Sequence, residues 1–148
     1  MRSEAGRNRQ VNIRRRFVLL LLLLFSFVQE SAAGTIIDRE LTVVRGDFKE
    51  LHYLIPRGTE KAVIQGTFTC KGGLNDDVSF LIFTKDQYVR WYSNYRNKPI
   101  FKLEKKKEGR FEFSAQAEET YYFVFDNFFS TVSNKQVKLH VTLESQKD

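Results

Sequence analysis

The 148-residue chain has one cysteine, two histidines and no Asn-X-Ser/Thr sequon. It also lacks an apolar run long enough to cross a bilayer. A single thiol cannot close an internal disulfide, so Cys70 is either a buried thiol or half of a bridge to another chain. "FTCKG" places it at a strand end, which favours the buried thiol. Without a sequon, N-glycosylation is not expected. The longest apolar stretch, "FVLLLLLLFSFV" at 17–28, has twelve residues, where a spanning helix needs roughly 20. Gly-X-Ser-X-Gly, His-Glu-X-X-His and the phosphate-binding loop are all missing, and neither His52 nor His140 stands at a fixed spacing from a Ser, Cys or Asp. The sequence therefore predicts no enzyme and no cofactor. "LNDD" offers Asn75, Asp76 and Asp77 as hard oxygen donors. Calcium takes six to eight oxygens, so this stretch reads as a turn and no metal is expected.

What is present is unevenly placed. The formal net charge is +6. Residues 1–33 hold six arginines against two glutamates, so the remaining 115 residues carry only +2. That is weak ground for a nucleic-acid partner, and none is expected. "RRR" at 14–16, the short apolar run and the small residues of "QESAAG" together make a secretory signal peptide, with cleavage expected after Ala33. The chain is then secreted or lumenal. The alternative is an uncleaved N-terminal segment that tethers it to a membrane. No Cys follows the apolar run, as a bacterial lipoprotein would require, and no second run of spanning length follows it.

Beyond residue 33 the pattern has period two. In "QVKLHVTLE", Val137, Leu139, Val141 and Leu143 alternate with Lys138, His140, Thr142 and Glu144, as in a half-buried strand. "RFEFSAQ" behaves alike. "DVSFLIF" is apolar on both faces and reads as a central strand covered on each side. Further strands are expected at 36–44, 49–55, 62–70, 100–103 and 121–125, separated by the turn signals "RGD", "PRG", "KGGLND" and "KEG". Eight strands at short spacing, with no convincing amphipathic helix, predict an all-β fold: an antiparallel β-sandwich, jelly-roll-like, behind a hydrophobic signal helix. The domain should span 34–145, with 146–148 a frayed tail. A helical turn is compatible with "QYVRWYSNYRN".

Three stretches carry candidate site residues. "YVRWYSNYRNK" interleaves Tyr88, Trp91, Tyr92 and Tyr95 with Arg90 and Arg96. Trp, Tyr and Arg are the residues enriched at interface hot spots, and behind a signal peptide they suggest a protein, glycan or lipid contact. The other reading is a loop folded onto the sandwich with its aromatics inside. If the loop is an interface, Trp91→Ala leaves stability nearly unchanged. "KLEKKKEGR" concentrates Lys102, Lys105, Lys106, Lys107 and Arg110. It is either a patch for an acidic partner or anionic lipid headgroup, or a solvated hairpin whose lysines block edge pairing. In "YYFVFDNFFS" the strand aromatics are core, and Asp126 and Asn127 turn the chain. Phe129 is expected to fold back over the core and Ser130 to close the loop.

In order and spacing, "GTF" at 66–68, "GGLNDDVSFLI" at 72–82, "GRFEF" at 109–113, "YYFVFDNFFS" at 121–130 and "NKQVKLHVTLE" at 134–144 resemble the GOLD (Golgi dynamics) domain family. The likeness covers nearly all of residues 40–145. It implies a β-sandwich that binds proteins without catalysis, as in the small membrane cargo receptors of vesicles between endoplasmic reticulum and Golgi. The sequence lacks the second cysteine of those receptors' disulfide, their coiled coil, their transmembrane helix and their coat-binding tail. Phe128 stands where Ser is usual. The resemblance thus implies a binding module for protein interaction or cargo recognition in the secretory pathway. The alternative is lipid-headgroup or glycan binding through the lysines and exposed aromatics.

Overall fold

The computed structural model describes residues 31–94 and 96–146. The expected signal helix, Tyr95 and the last two residues lie outside them. Eight strands follow in chain order: β1 (Ser31–Val43), β2 (Phe48–Leu54), β3 (Glu60–Lys71), β4 (Val78–Thr84), β5 (Phe101–Lys106), β6 (Glu108–Ala115), β7 (Thr120–Asp126) and β8 (Lys135–Gln146). One helix, α1 (Lys85–Asn94), stands between β4 and β5. The strands form two antiparallel sheets in the orders β1-β8-β3-β6 and β2-β7-β4-β5. This alternation of sheets is the jelly-roll arrangement of two interlocked Greek keys.

The period-two pattern works as expected. Alternate residues of β3 and β8, among them Ile64, Phe68, Val137 and Leu139, are buried between the sheets. Facing them are Phe80 and Ile82 of β4 with Phe123 and Phe125 of β7. The centre is aromatic: Phe80 stacks on Phe125 at 4.8 Å and meets Phe68 at 5.0 Å and Phe111 at 5.1 Å. Such pairs add about 0.5–1.5 kcal/mol each beyond area burial. Two glycines make room for these rings. A Cβ on Gly66 would lie 2.5 Å from the Phe111 ring and from the His140 carbonyl. A Cβ on Gly109 would lie 2.5 Å from Phe68 and Leu103. Cys70 is buried in the same core, and burial pushes its thiol up to about 11.

Three features differ from the sequence expectation. Residues 85–94 form a full helix rather than a turn. Residues 102–110 are not a hairpin: β5 and β6 belong to different sheets, and Lys107 is the corner between them. Its carbonyl accepts the Cys70 N–H at 2.7 Å, so the backbone turns from one layer to the other rather than back on itself. At the C-terminus, β8 runs on through Gln146, opposite Ser31 of β1 and Glu60 of β3. Cleavage after Ala33 would take away only the three β1 residues facing Glu144, Ser145 and Gln146.

Candidate functional site

The outer face of the β2-β7-β4-β5 sheet is only partly covered. On β4 the outward residues are Ser79, Leu81 and Phe83; on β7 they are Tyr122, Val124 and Asp126. Cross-strand register sets Ser79 beside Asp126, Leu81 beside Val124 and Phe83 beside Tyr122. The last two rows are apolar, and α1 lies over them. Thr84 and Gln87 start this helix by a reciprocal cap: the Gln87 N–H donates to Thr84 Oγ1 at 3.4 Å, and the Thr84 N–H donates to Gln87 Oε1 at 3.1 Å. Asp86 adds favourable charge in the first turn. Positions 88 and 91, three apart, then share one face. Tyr88 stacks on Tyr122 at 4.1 Å with rings nearly parallel, and Trp91 packs against Phe83 and Phe48 at 5.2 Å each.

The helix stops short of the Ser79–Asp126 row. This leaves a depression of about 480 Å³. Leu81 forms its floor and Trp91 one wall. Phe128, from the β7–β8 loop, forms another wall. Lys102 and Glu104 on edge strand β5 form the rim, joined as an ion pair. Asp126 lies at its base, where burial raises the carboxyl above its ordinary range; the Phe128 N–H and Lys102 partly offset this. That Phe128 N–H donates to Asp126 Oδ1 at 2.7 Å. A bulge in β5 frees the Lys105 N–H, which donates to Ser79 Oγ at 3.3 Å. The depression thus joins aromatic walls, a half-buried acid and a charged rim beside an edge strand.

The structure distributes the sequence candidates unevenly. Of the aromatic-arginine group, Trp91 is 5% exposed and belongs to the second core with Leu81, Phe83 and Val124. It is therefore not a projecting contact, because the helix turns it onto the sheet. Tyr88 is half-buried under the same helix, whereas Tyr92 is 58% exposed. Arg90 and Arg96 are exposed, and Arg90 faces Asp86 at 3.9 Å. The basic residues do not converge. Lys102 faces the depression, Lys105 lies above the Phe129 ring at 4.9 Å, and Lys107 pairs with Asp76 at 3.5 Å. Lys106 is exposed at the end of β5, and Arg110 projects from β6 in the other sheet. Phe129 does not cover the core; it is exposed beneath Lys105.

Asn127 is fully buried and donates through Nδ2 to the carbonyls of Val43, Val44 and Ser133, at 3.5, 3.3 and 3.0 Å. It clamps the β1–β2 turn to the β7–β8 loop. Ser130 Oγ accepts the Ser133 N–H at 3.2 Å and closes that loop. Sequence reading did not single out Ser79, Leu81, Glu104 or Phe128 as site residues at the depression. The available signal was Ser79 itself, the one polar residue within "VSFLIF", which marks where the outer face is uncovered.

Sequence comparison gives a match to the family model described as emp24/gp25L/p24 family/GOLD over residues 42–148. No curated protein matches the chain. Among solved structures, the periplasmic PliG of Aeromonas hydrophila, an inhibitor of g-type lysozyme, is similar at 12% identity. The similarity covers 82% of this chain and 92% of that one, with a TM-score of 0.39.

Proposed function

This chain belongs to the emp24/gp25L/p24 (GOLD) family, and from that membership we propose that it is a non-catalytic module that binds a protein partner in the secretory pathway. The observation that carries the reading is the depression beside β5. Its aromatic walls and charged rim have the chemistry of an interface hot spot ringed by polar groups. The unpaired edge of β5 beside it offers backbone N–H and C=O groups to an extended partner segment. The partner would lie along β5, set an apolar side chain against Trp91 and Phe128, and meet Lys102 and Glu104 with its own charges.

The test is capture of partners from secretory-pathway lumen by the full chain. Tyr92→Ser combined with Lys102→Ala changes two exposed side chains and should leave the chain folded at a cost of about 1 kcal/mol, since exposed ion pairs and surface changes are each worth little. Loss of a hot-spot contact should lower capture about tenfold, which corresponds to roughly 1.4 kcal/mol. Undiminished capture by the double variant would contradict the assignment to this face.

A further inference from the structure

We propose that the end of the sandwich opposite the 116–119 turn docks onto an anionic lipid surface, with Leu74, Phe129 and Val132 entering the headgroup layer. This surface is separate from the depression and does not depend on it. The fold gathers four connections here: β1–β2, β3–β4, β5–β6 and β7–β8. Val43 pairs with Lys135 and Lys71 with Gln136, while the Cys70 N–H reaches Lys107.

The apolar side chains stand at the loop tips. Leu74 is fully exposed, Val132 is 79% exposed, and Val44 and Phe129 are exposed beside them. They stand on the connecting loops, outside the strands. A deformable lipid layer accepts such projections, whereas a protein partner would need a matching pocket for each. The tips are also held from below. Asn127 clamps Val44 and Ser133. Lys135 is 3% exposed; its Nζ donates to the Gly72 carbonyl at 2.8 Å and meets Asp77 at 3.0 Å. These contacts tie the loops that carry the apolar groups to the strands beneath them.

The charge around the tips complements an anionic surface. Arg45, Lys71, Lys105, Lys106, Lys107 and Lys135 stand against Asp47, Asp76, Asp77 and Glu108. Three of the four acids have internal partners. Asp77 holds Lys135 and Asp76 holds Lys107, while Asp47 accepts its neighbour's N–H. Arg45, Lys71, Lys105 and Lys106 are exposed. The Lys105 ammonium sits over the Phe129 ring at 4.9 Å, so a cation lies directly on this apolar group. Paired basic and aromatic groups of this kind suit the headgroup boundary.

The experiment uses the full chain carrying Cys70→Ser, with a new single cysteine labelled by an environment-sensitive dye. The positions are Leu74→Cys, Val132→Cys and, at the opposite end, Arg57→Cys. Vesicles of phosphatidylcholine with phosphatidylserine are then added. We expect the dye at 74 and 132 to shift to the blue and to be quenched by spin-labelled lipid, while the dye at 57 keeps its emission in water. Adding Lys105→Glu and Lys106→Glu should reduce the shift several-fold. Unchanged emission at both 74 and 132 overturns the proposal. So does an equal shift at 57, because the apolar segment at 17–28 alone would then be drawing the chain onto the bilayer. A shift that survives charge reversal overturns the anionic specificity.

Discussion

Asp126 and Asn127 are adjacent, and the turn divides its work between them. Asn127 binds backbone carbonyls through its amide, whereas Asp126 accepts one backbone N–H and faces the depression. Burial raises the Asp126 carboxyl above its ordinary range. A carboxyl raised in the folded state binds its proton more tightly there than in the unfolded chain. Its stabilising contribution is complete below the unfolded value and is lost as pH rises through the folded one. Asp126→Asn keeps an oxygen for the Phe128 N–H and removes the titration. The variant should melt like the wild type below pH ~4 and above it at neutral pH. Asp126→Ala, by contrast, leaves that exposed N–H without its side-chain acceptor and should cost about 0.5–1.5 kcal/mol where the carboxyl is protonated, and less at neutral pH, because it removes the cost of ionisation as well. Melts across pH 3 to 8, the range over which carboxylates titrate, check both. A constant offset between Asp126→Asn and wild type would show that ionisation at this position carries no cost.

At the scale of the element, α1 decides how the outer face is used. It buries Trp91 on Phe83 and Phe48, so Trp91→Ala should destabilise by about 3–5 kcal/mol through the cavity it leaves. A thermal or denaturant melt reads this directly. An unchanged melt would return Trp91 to the role of a surface contact. The helix was legible in "TKDQ", where Thr84 and Gln87 have capping-box spacing. Counting by twos passes over that signal, because ten residues of helix interrupt an otherwise alternating pattern. The strands were legible because every one of them packs at least one face against a core. The motif glycines were legible too, and the rings beside Gly66 and Gly109 give the physical reason. The β5–β6 corner was not. "KLEKKKEGR" has the charge and glycine of a hairpin, and only the pairing of its two flanks with different sheets distinguishes a corner from a turn. The depression stayed hidden for a related reason. Its residues come from β4, β5, β7, α1 and the β7–β8 loop, and no local spacing links them all.

Over the whole molecule, the jelly roll separates two surfaces. The loops that join β1 to β2 and β7 to β8 gather at one end with exposed apolar tips, while the depression opens on the flank between α1 and β5. A domain seated on a membrane by that end would keep its flank open to a protein in the same compartment. The central claim is that the flank is where a protein binds. Site-specific photo-crosslinking tests this most directly, with the photoreactive residue placed at Tyr92, at Lys102, or at Thr67 on the outer face of the opposite sheet. All three are exposed. In secretory-pathway lumen, positions 92 and 102 should form covalent adducts with the same protein, and position 67 should form none. Adducts at 67 with none at 92 or 102 would contradict the account and move the binding surface to the other sheet.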